Sequence, residues 1–166
     1  MNNLSVAPMS RSDIRCLAKK FREIFHLEKV LYFPVVPFIE WVLGQLGLEL
    51  EIVSISDMPQ AYGVTNPGTE TMKIREDVYV GAIKGNPRDR FTLCHELGHY
   101  LIHLPERVTF ARGVVPAYMD PEWQANAFAG ELMAPYDLVK NMSVEEISEK
   151  CGMSMTAASI QYRKYH

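Results

Sequence analysis

The sequence is poor in cysteine, in excess positive charge and in long apolar runs. Its three cysteines, Cys16, Cys94 and Cys151, are widely spread over 166 residues, and no pair has metal-ligand spacing. This usage is typical of reduced thiols in a cytoplasmic protein and excludes a disulfide framework. The formal net charge of −3 argues against a protein whose main role is to contact nucleic-acid phosphates.

Membrane and export signals are also missing. No stretch approaches the roughly 20 apolar residues that span a membrane. The first 13 residues lack an apolar segment flanked by positive charge, so we expect no signal peptide. Hydrophobic residues make up 48% and charged residues 22% of the chain, which is the balance of a soluble globular protein. The composition therefore predicts a soluble, cytoplasmic protein.

The order of helical and extended patterns predicts an α+β fold. Apolar residues recur at three- and four-residue steps over residues 10–25, and Pro37 opens a second helix. Three short strands follow, over residues 48–55, 70–74 and 78–83. We expect these strands to form a small antiparallel or mixed sheet packed on the helices.

Two later helices begin with the same signal, a side-chain acceptor followed by proline. Asn86-Pro87 opens the first, which should stop before Pro105, and Asp120-Pro121 opens the second, which Pro135 ends. Residues 105–119 are predicted to be the loop between them. This arrangement lets the second helix fold back against the first.

The remaining residues predict a short helical tail. Ser143 and Glu146 form a capping box, Gly152 suits a helix C-terminus, and Ser154 can cap a last helix. We expect residues 1–140 to form one domain with N-terminal helices. Residues 141–166 would be a two-helix extension packed on it or following it.

Three of the five histidines lie between Arg90 and Pro105. His95 and His99 are four residues apart, so a helix presents both rings on one face and they can converge on one ion. Glu96 is rotated by about 100°, beside the position of a reacting water. This HExxH pattern predicts two zinc ligands and a general base that passes a proton to the leaving amine of a peptide bond. The five residues alone are equally compatible with an ordinary half-buried helix.

A catalytic zinc usually has three protein ligands, so one more is needed. His103 is about 12 Å along the helix from His95 and about 80° around it, which favours a packing or hydrogen-bonding role. Glu122, in the first turn of the following helix, is the preferred ligand, although acids are common there for electrostatic reasons. Asn126, one turn later, is expected to orient one histidine. The competing carboxylates are Asp120, Glu106 and Glu131.

These motifs resemble the ImmA/IrrE family of bacterial zinc metallopeptidases. The resemblance rests on "RFTLCHELGHYLIH" followed by "DPEWQANAFAGELMAP", and it covers roughly residues 35–140. It implies a compact α+β core with a minimal thermolysin-like, or gluzincin, site. His95, His99 and Glu122 would bind one zinc ion, and Glu96 would be the catalytic acid and base. Asn126 departs from the aspartate that thermolysin-like sites often have.

The resemblance also implies a regulatory protease. Relatives cleave repressor-type DNA-binding proteins and so switch on mobile-element or stress genes. The expected partner is therefore a transcriptional repressor or antitoxin-like protein. From the composition we expect no membrane partner, and the net charge disfavours direct nucleic-acid binding. Tyr118 is a candidate for stabilising the oxyanion. The predicted strand over residues 78–83 is either an edge that pairs with an extended substrate or an interior strand.

Two other functions stay open. The tail has the helix–glycine–helix outline of a helix-turn-helix, so the chain could be a DNA- or protein-binding regulator with a vestigial zinc site. Three glutamates in the first tail helix oppose DNA binding, and the last helix offers Arg163 and Lys164 close to its end. A zinc-bearing pseudo-enzyme is the third possibility, which the presence of Glu96 disfavours.

Overall fold

The first helix begins at a cap that the sequence provides. In the computed structural model, which describes residues 4–103 and 108–166, helix α1 spans Arg11–Ile24. Ser10 and Asp13 accept hydrogen bonds from each other's backbone N–H groups in a capping box. A one-turn helix α2, Val35–Pro37, then runs into a π-helical segment, Phe38–Leu43. The second predicted helix is therefore present, but it starts two residues earlier.

The main sheet has three strands and is mixed. Strand β2, Glu49–Val53, lies parallel to β4, Thr71–Arg75, and β3, Gly63–Asn66, pairs with β4 in the antiparallel direction. The strand order is β2-β4-β3, so β3 occupies one edge. The strand patterns at residues 48–55 and 70–74 are confirmed, whereas β3 carries no clear alternation and was not predicted.

A second, two-stranded sheet joins the N-terminal segment to residues 109–110. Strand β1, Leu4–Ser5, pairs antiparallel with β5, Thr109–Phe110. Of the predicted loop over residues 105–119, residues 105–107 lie outside the described residues. Residues 108–119 are only partly a loop, because they contain β5 and a 3-10 turn at Ala117–Met119. The N-terminal segment is held against it by the backbone N–H of Met9, which donates to the carbonyl of Tyr118.

The strand predicted over residues 78–83 is wrong, because helix α3 spans Glu76–Ile83. Val78 and Ala82, four residues apart, are buried, whereas Val80 and Ile83 are exposed. The pattern of buried residues therefore has the period of a helix. Packing of this helical face outweighs the preference of the Val-Tyr-Val run for a strand. This segment therefore offers no strand edge to a substrate.

Both predicted Asx-Pro caps are confirmed. Asn86 accepts from the N–H groups of the first turn of helix α4, Pro87–Ile102. Asp120 accepts from the N–H of Glu122 in helix α5, Pro121–Met133. These caps fix where each helix starts, and so which residues α4 and α5 turn toward each other.

Helices α4 and α5 approach closely at Gly98. A Cβ atom added there would lie 3.2 Å from Cδ1 of Phe128 and 3.3 Å from the Cα of Ala125. A side chain at this position would therefore press on α5, which favours glycine here. The close approach brings the first turn of α5 over the histidines of α4.

Substituting Gly98 with leucine is expected to destabilise the fold by about 1–3 kcal/mol, because the side chain must push α5 away. Gly44→Leu is the matched control, since Gly44 has helical dihedral angles and nothing within 4 Å of an added Cβ. Urea unfolding measures both changes. Equal stability of the two variants would contradict the packing described here.

The tail helices pack on the main helices. A short α6, Tyr136–Val139, is followed by α7, Val144–Cys151, and α8, Met155–Tyr165. The predicted caps are confirmed: the Ser143 capping box is formed, Gly152 is left-handed with φ 65°, and Ser154 caps α8. The buried apolar residues of the tail, Ile147, Cys151, Met153 and Ala158, belong to the same apolar cluster as those of α1, α4 and α5.

The predicted α+β class is confirmed by this arrangement of two small sheets and surrounding helices. The division into residues 1–140 and 141–166 stays a prediction. Among the described helices, none is both long and apolar enough to cross a membrane.

Candidate active site

Three side chains from two helices meet at one end of the α4–α5 contact. The Nε2 atoms of His95 and His99 are 3.0 Å apart. The carboxylate oxygens of Glu122 lie 3.1 Å from Nε2 of His95 and 3.2 Å from Nε2 of His99. One ligand atom from each residue lies within 4.8 Å of the other two. The structure thus brings together the three residues that the sequence put forward as zinc ligands.

The competing carboxylates are engaged elsewhere or lie outside the described residues. Asp120 caps α5. Glu131 is 1% exposed and pairs with Arg15, whose Nε lies 3.2 Å from its carboxylate. Glu106 belongs to the part of the chain that is not described. Glu122 is the carboxylate that faces both histidines.

The outer nitrogen of His95 is held by Asn126. Its Nδ1 lies 2.9 Å from the amide oxygen of Asn126, which can only accept, so Nδ1 carries the proton. The neutral ring then presents a bare Nε2 toward Glu122 and His99. The orienting role expected of Asn126 is thus matched by its position.

A longer chain of hydrogen bonds fixes His99. The side-chain amide N–H of Gln124 donates to the carbonyls of Ala7 and Tyr118, each at 2.8 Å, so its oxygen faces His103. Nε2 of His103 donates to that oxygen at 3.1 Å. Nδ1 of His103 therefore accepts from Nδ1 of His99, 2.8 Å away, and leaves Nε2 of His99 bare.

This chain requires a neutral His103, which its surroundings provide. Burial, followed by the neighbouring His99, lowers the pKa of His103 to about 4. His103 thus has the hydrogen-bonding role expected from its position on the helix. Gln124 was missed from the sequence, because an isolated glutamine carries no local signal and one of its partners is 117 residues away.

Replacing Gln124 with leucine is expected to lower zinc affinity by about 10–100-fold, the usual effect of losing an outer hydrogen-bond partner of a histidine ligand. Without the amide oxygen, His103 no longer has a fixed tautomer and His99 loses its orientation. Competition with a chromophoric chelator measures the affinity. Tyr165→Phe serves as control, because it removes a half-buried hydroxyl that contacts Glu131 and Ala134, away from the histidines. Unchanged zinc affinity in Gln124→Leu would rule out the proposed chain.

The electrostatics of the cluster favour positive charge between the rings and the carboxylate. When Nε2 of His95 or His99 carries a proton instead of a metal ion, it donates to the Glu122 carboxylate and so lowers the pKa of Glu122 below its usual range. Burial favours the neutral form of His95, but Glu122 and the charge of Glu96 raise the pKa of His95 above its usual value. Two imidazole nitrogens and one carboxylate are also a donor set that suits a catalytic zinc ion, so these residues fit that metal.

Glu96 lies beside the cluster and is held by strand β3. It is 5% exposed, and the hydroxyl of Thr65 donates to its carboxylate at 2.6 Å. A Cβ atom at Gly63 would lie 2.8 Å from Cγ of Glu96, so glycine is required for the strand to pass so close. Neither Gly63 nor Thr65 was found from the sequence, because β3 itself was not predicted.

The four residues share one open cleft of about 850 Å³. One wall is the edge strand, residues 62–67, and the floor is helix α4. Tyr118, the candidate for the oxyanion, is half exposed and is not among the described residues that line the cleft. The structure shows instead that its backbone carbonyl anchors Gln124.

The tail presents little positive charge for DNA. Lys164 is half-buried and donates to Gln161, and Tyr165 packs against Glu131, whereas Arg163 is exposed. Since phosphate contacts need several exposed cations on one face, the arrangement favours the packing role expected for these helices.

The comparisons with known proteins bear on the whole of this region. Residues 46–160, more than half of the chain, match the family model Peptidase_M78, described as the IrrE N-terminal-like domain. The matched segment includes α4, α5, β3 and the four clustered residues. No curated protein matches the chain. The resemblance seen in the sequence is thereby confirmed, and the chain belongs to the IrrE N-terminal-like family of metallopeptidases.

Proposed function

We propose that the protein is a zinc-dependent metallopeptidase that hydrolyses peptide bonds of a protein substrate. His95, His99 and Glu122 would hold one zinc ion, and Glu96 would be the catalytic acid and base. The observation that carries the proposal is the convergence of the Nε2 atoms of two histidines and a carboxylate in a cleft that also contains Glu96.

The metal ion and Glu96 would have different roles in peptide-bond hydrolysis. When bound, zinc supplies Lewis acidity toward a water and toward a peptide carbonyl. The Glu96 carboxylate takes a proton from the attacking water and returns it to the leaving amine. Thr65 holds the carboxylate in place during both transfers, because its hydroxyl donates to one oxygen and leaves the other available.

Strand β3 supports the binding of an extended polypeptide. It is the edge of the sheet order β2-β4-β3 and borders the cleft beside Glu96. An extended peptide can add to such an edge through main-chain hydrogen bonds. A peptide bound along β3 would pass over the proposed metal site, which favours cleavage within a chain.

We further propose a cytoplasmic, regulatory role, with a repressor-type DNA-binding protein or antitoxin-like protein as the substrate. Membership of the IrrE N-terminal-like family supports this assignment. The open cleft and its edge strand suit an extended segment of a polypeptide, whereas a small-molecule substrate is usually enclosed on most sides. Cleavage of a panel of helix-turn-helix repressors from the source organism tests the substrate class.

Removal of zinc is expected to abolish proteolysis. Treatment with 1,10-phenanthroline should stop cleavage of unfolded casein or of a repressor, and one equivalent of zinc should restore it. The non-chelating isomer 1,7-phenanthroline is the control. Metal analysis first establishes that the treated protein is free of zinc. Cleavage by this zinc-free protein would refute the proposal.

A further inference from the structure

A second cavity, of about 670 Å³, lies beside the active-site cleft. Its volume falls within the roughly 300–1,000 Å³ of small-molecule sites. Its walls come from helices α1, α4, α5 and α8, and Phe91, Thr92 and Asn126 line both the cavity and the cleft. Apart from Asn126, the proposed hydrolysis gives these residues no role.

The cavity combines apolar walls with cations. The apolar residues that line it are Pro87, Phe91, Trp123, Ala127, Met153, Ala157 and Ile160. Arg11, Arg88 and Lys164 also line it, and no aspartate or glutamate does among the described lining residues. The first turns of α4 and α8 form part of the wall, and the positive ends of their dipoles add to the same field.

Arg11 carries a buried donor without an acceptor. Its guanidinium lies 5.3 Å from the ring centroid of Trp123. Its Nη1 atom is buried and has no hydrogen-bond partner among the described residues, 4–103 and 108–166. Since an unmet buried donor is costly, an anion that enters the cavity would be stabilised by this group.

Lys164 adds a second cation that is partly removed from water. Burial, followed by the nearby charge of Arg11, lowers its pKa to about 8. Glu131 acts in the opposite direction, but it is already engaged by Arg15 and Tyr165. An anion near Lys164 and Arg11 would therefore be attracted by positive charge that no carboxylate among the described residues lining the cavity neutralises.

We propose that this cavity binds a small amphipathic anion, a carboxylate or phosphate carried on an apolar body. The apolar part packs against Trp123, Met153 and Ile160, and the anionic group meets Arg11 and Lys164. The occupant also reaches Asn126, which holds the outer nitrogen of His95. An acidic residue of a bound peptide has the same chemistry, so the test separates the two sources.

Trp123 provides the readout. The chain has two tryptophans, and Trp41 is 70% exposed, so Trp41→Phe leaves Trp123 as the fluorescent reporter. Titration uses octanoate and octyl phosphate, with octanol as the neutral and octylamine as the cationic control. We expect a saturable change in emission, with dissociation constants for the anions at least tenfold lower than for the controls.

The charge dependence is tested in the same background. Arg11→Gln combined with Lys164→Gln is expected to weaken octanoate binding at least tenfold. Arg163→Gln, which removes an exposed cation outside the lining, should leave it unchanged. Circular dichroism confirms that both variants are folded. Equal binding of octanol and octanoate, absence of saturation, or unchanged affinity in the double variant would overturn the proposal.

A pair of capped dipeptides separates the sources of the anion. Acetyl-Phe-Glu-amide is compared with acetyl-Phe-Gln-amide in the same titration. If both dipeptides bind more weakly than octanoate, the result supports a free small molecule as the natural occupant of the cavity. Tighter binding of the glutamate dipeptide than of either octyl anion would overturn that source and assign the cavity to an acidic residue of the substrate.

Discussion

Glu122→Ala is expected to lower zinc affinity by more than about 100-fold, beyond the effect of losing an outer hydrogen-bond partner. The substitution removes the carboxylate that lies 3.1 Å and 3.2 Å from the two Nε2 atoms. Two imidazoles then remain, one fewer than the three protein ligands of a typical catalytic zinc. Peptidase activity should disappear with the metal.

The control for Glu122→Ala is Glu145→Ala. Both glutamates are the second residue of a helix, α5 or α7, so both substitutions remove a favourable interaction with the helix dipole worth about 0.3–1 kcal/mol. Only Glu122 faces the histidines. Metal content by mass spectrometry and zinc affinity by chelator competition distinguish the two roles. If Glu122→Ala retains zinc as Glu145→Ala does, Glu122 is only a first-turn acid.

Glu96→Gln is expected to keep zinc and to lower kcat by about 10²–10⁴-fold, the usual contribution of a positioned acid and base. The amide has nearly the shape of the carboxylate, and its oxygen can still accept from Thr65. It cannot take up the proton of the attacking water. The loss should therefore appear in catalysis and not in metal binding.

Steady-state cleavage and zinc affinity are measured on the same preparations of Glu96→Gln. Glu51→Gln is the control, because Glu51 is an exposed residue on β2 paired with Lys73. Full activity of Glu96→Gln would exclude Glu96 as the acid and base. Loss of zinc from it would show that Glu96 acts on the metal itself.

Local signals were sufficient to predict the two helices that carry the site. The Asn86-Pro87 and Asp120-Pro121 caps define the starts of α4 and α5, and the i, i+4 spacing places His95 and His99 on one face. Glycine at position 98, inside a helical pattern, costs stability relative to alanine and so points to a close neighbour, which the structure identifies as α5. In each case a few adjacent residues contain the physical reason for the structure.

The sequence-based predictions fail where contacts between distant residues determine the structure. The run from Val78 to Ile83 has the composition of a strand, but burial of Val78 and Ala82 against the core favours a helix. Strand β3 lacks an alternating pattern, and its pairing with β4 and its contact with Glu96 exist only in the folded chain. The same applies to Gln124, whose partners come from distant parts of the sequence.

Because the carbonyl of Ala7 anchors Gln124, residues outside the recognised family segment support the candidate site. A protein trimmed to residues 46–160 would lack Ala7, which supports the orientation of His99 through Gln124 and His103. It would also lack α1, whose Phe21 packs on Phe128 beneath the site. The N-terminal residues therefore support the geometry of the candidate site from outside the region by which the family is recognised.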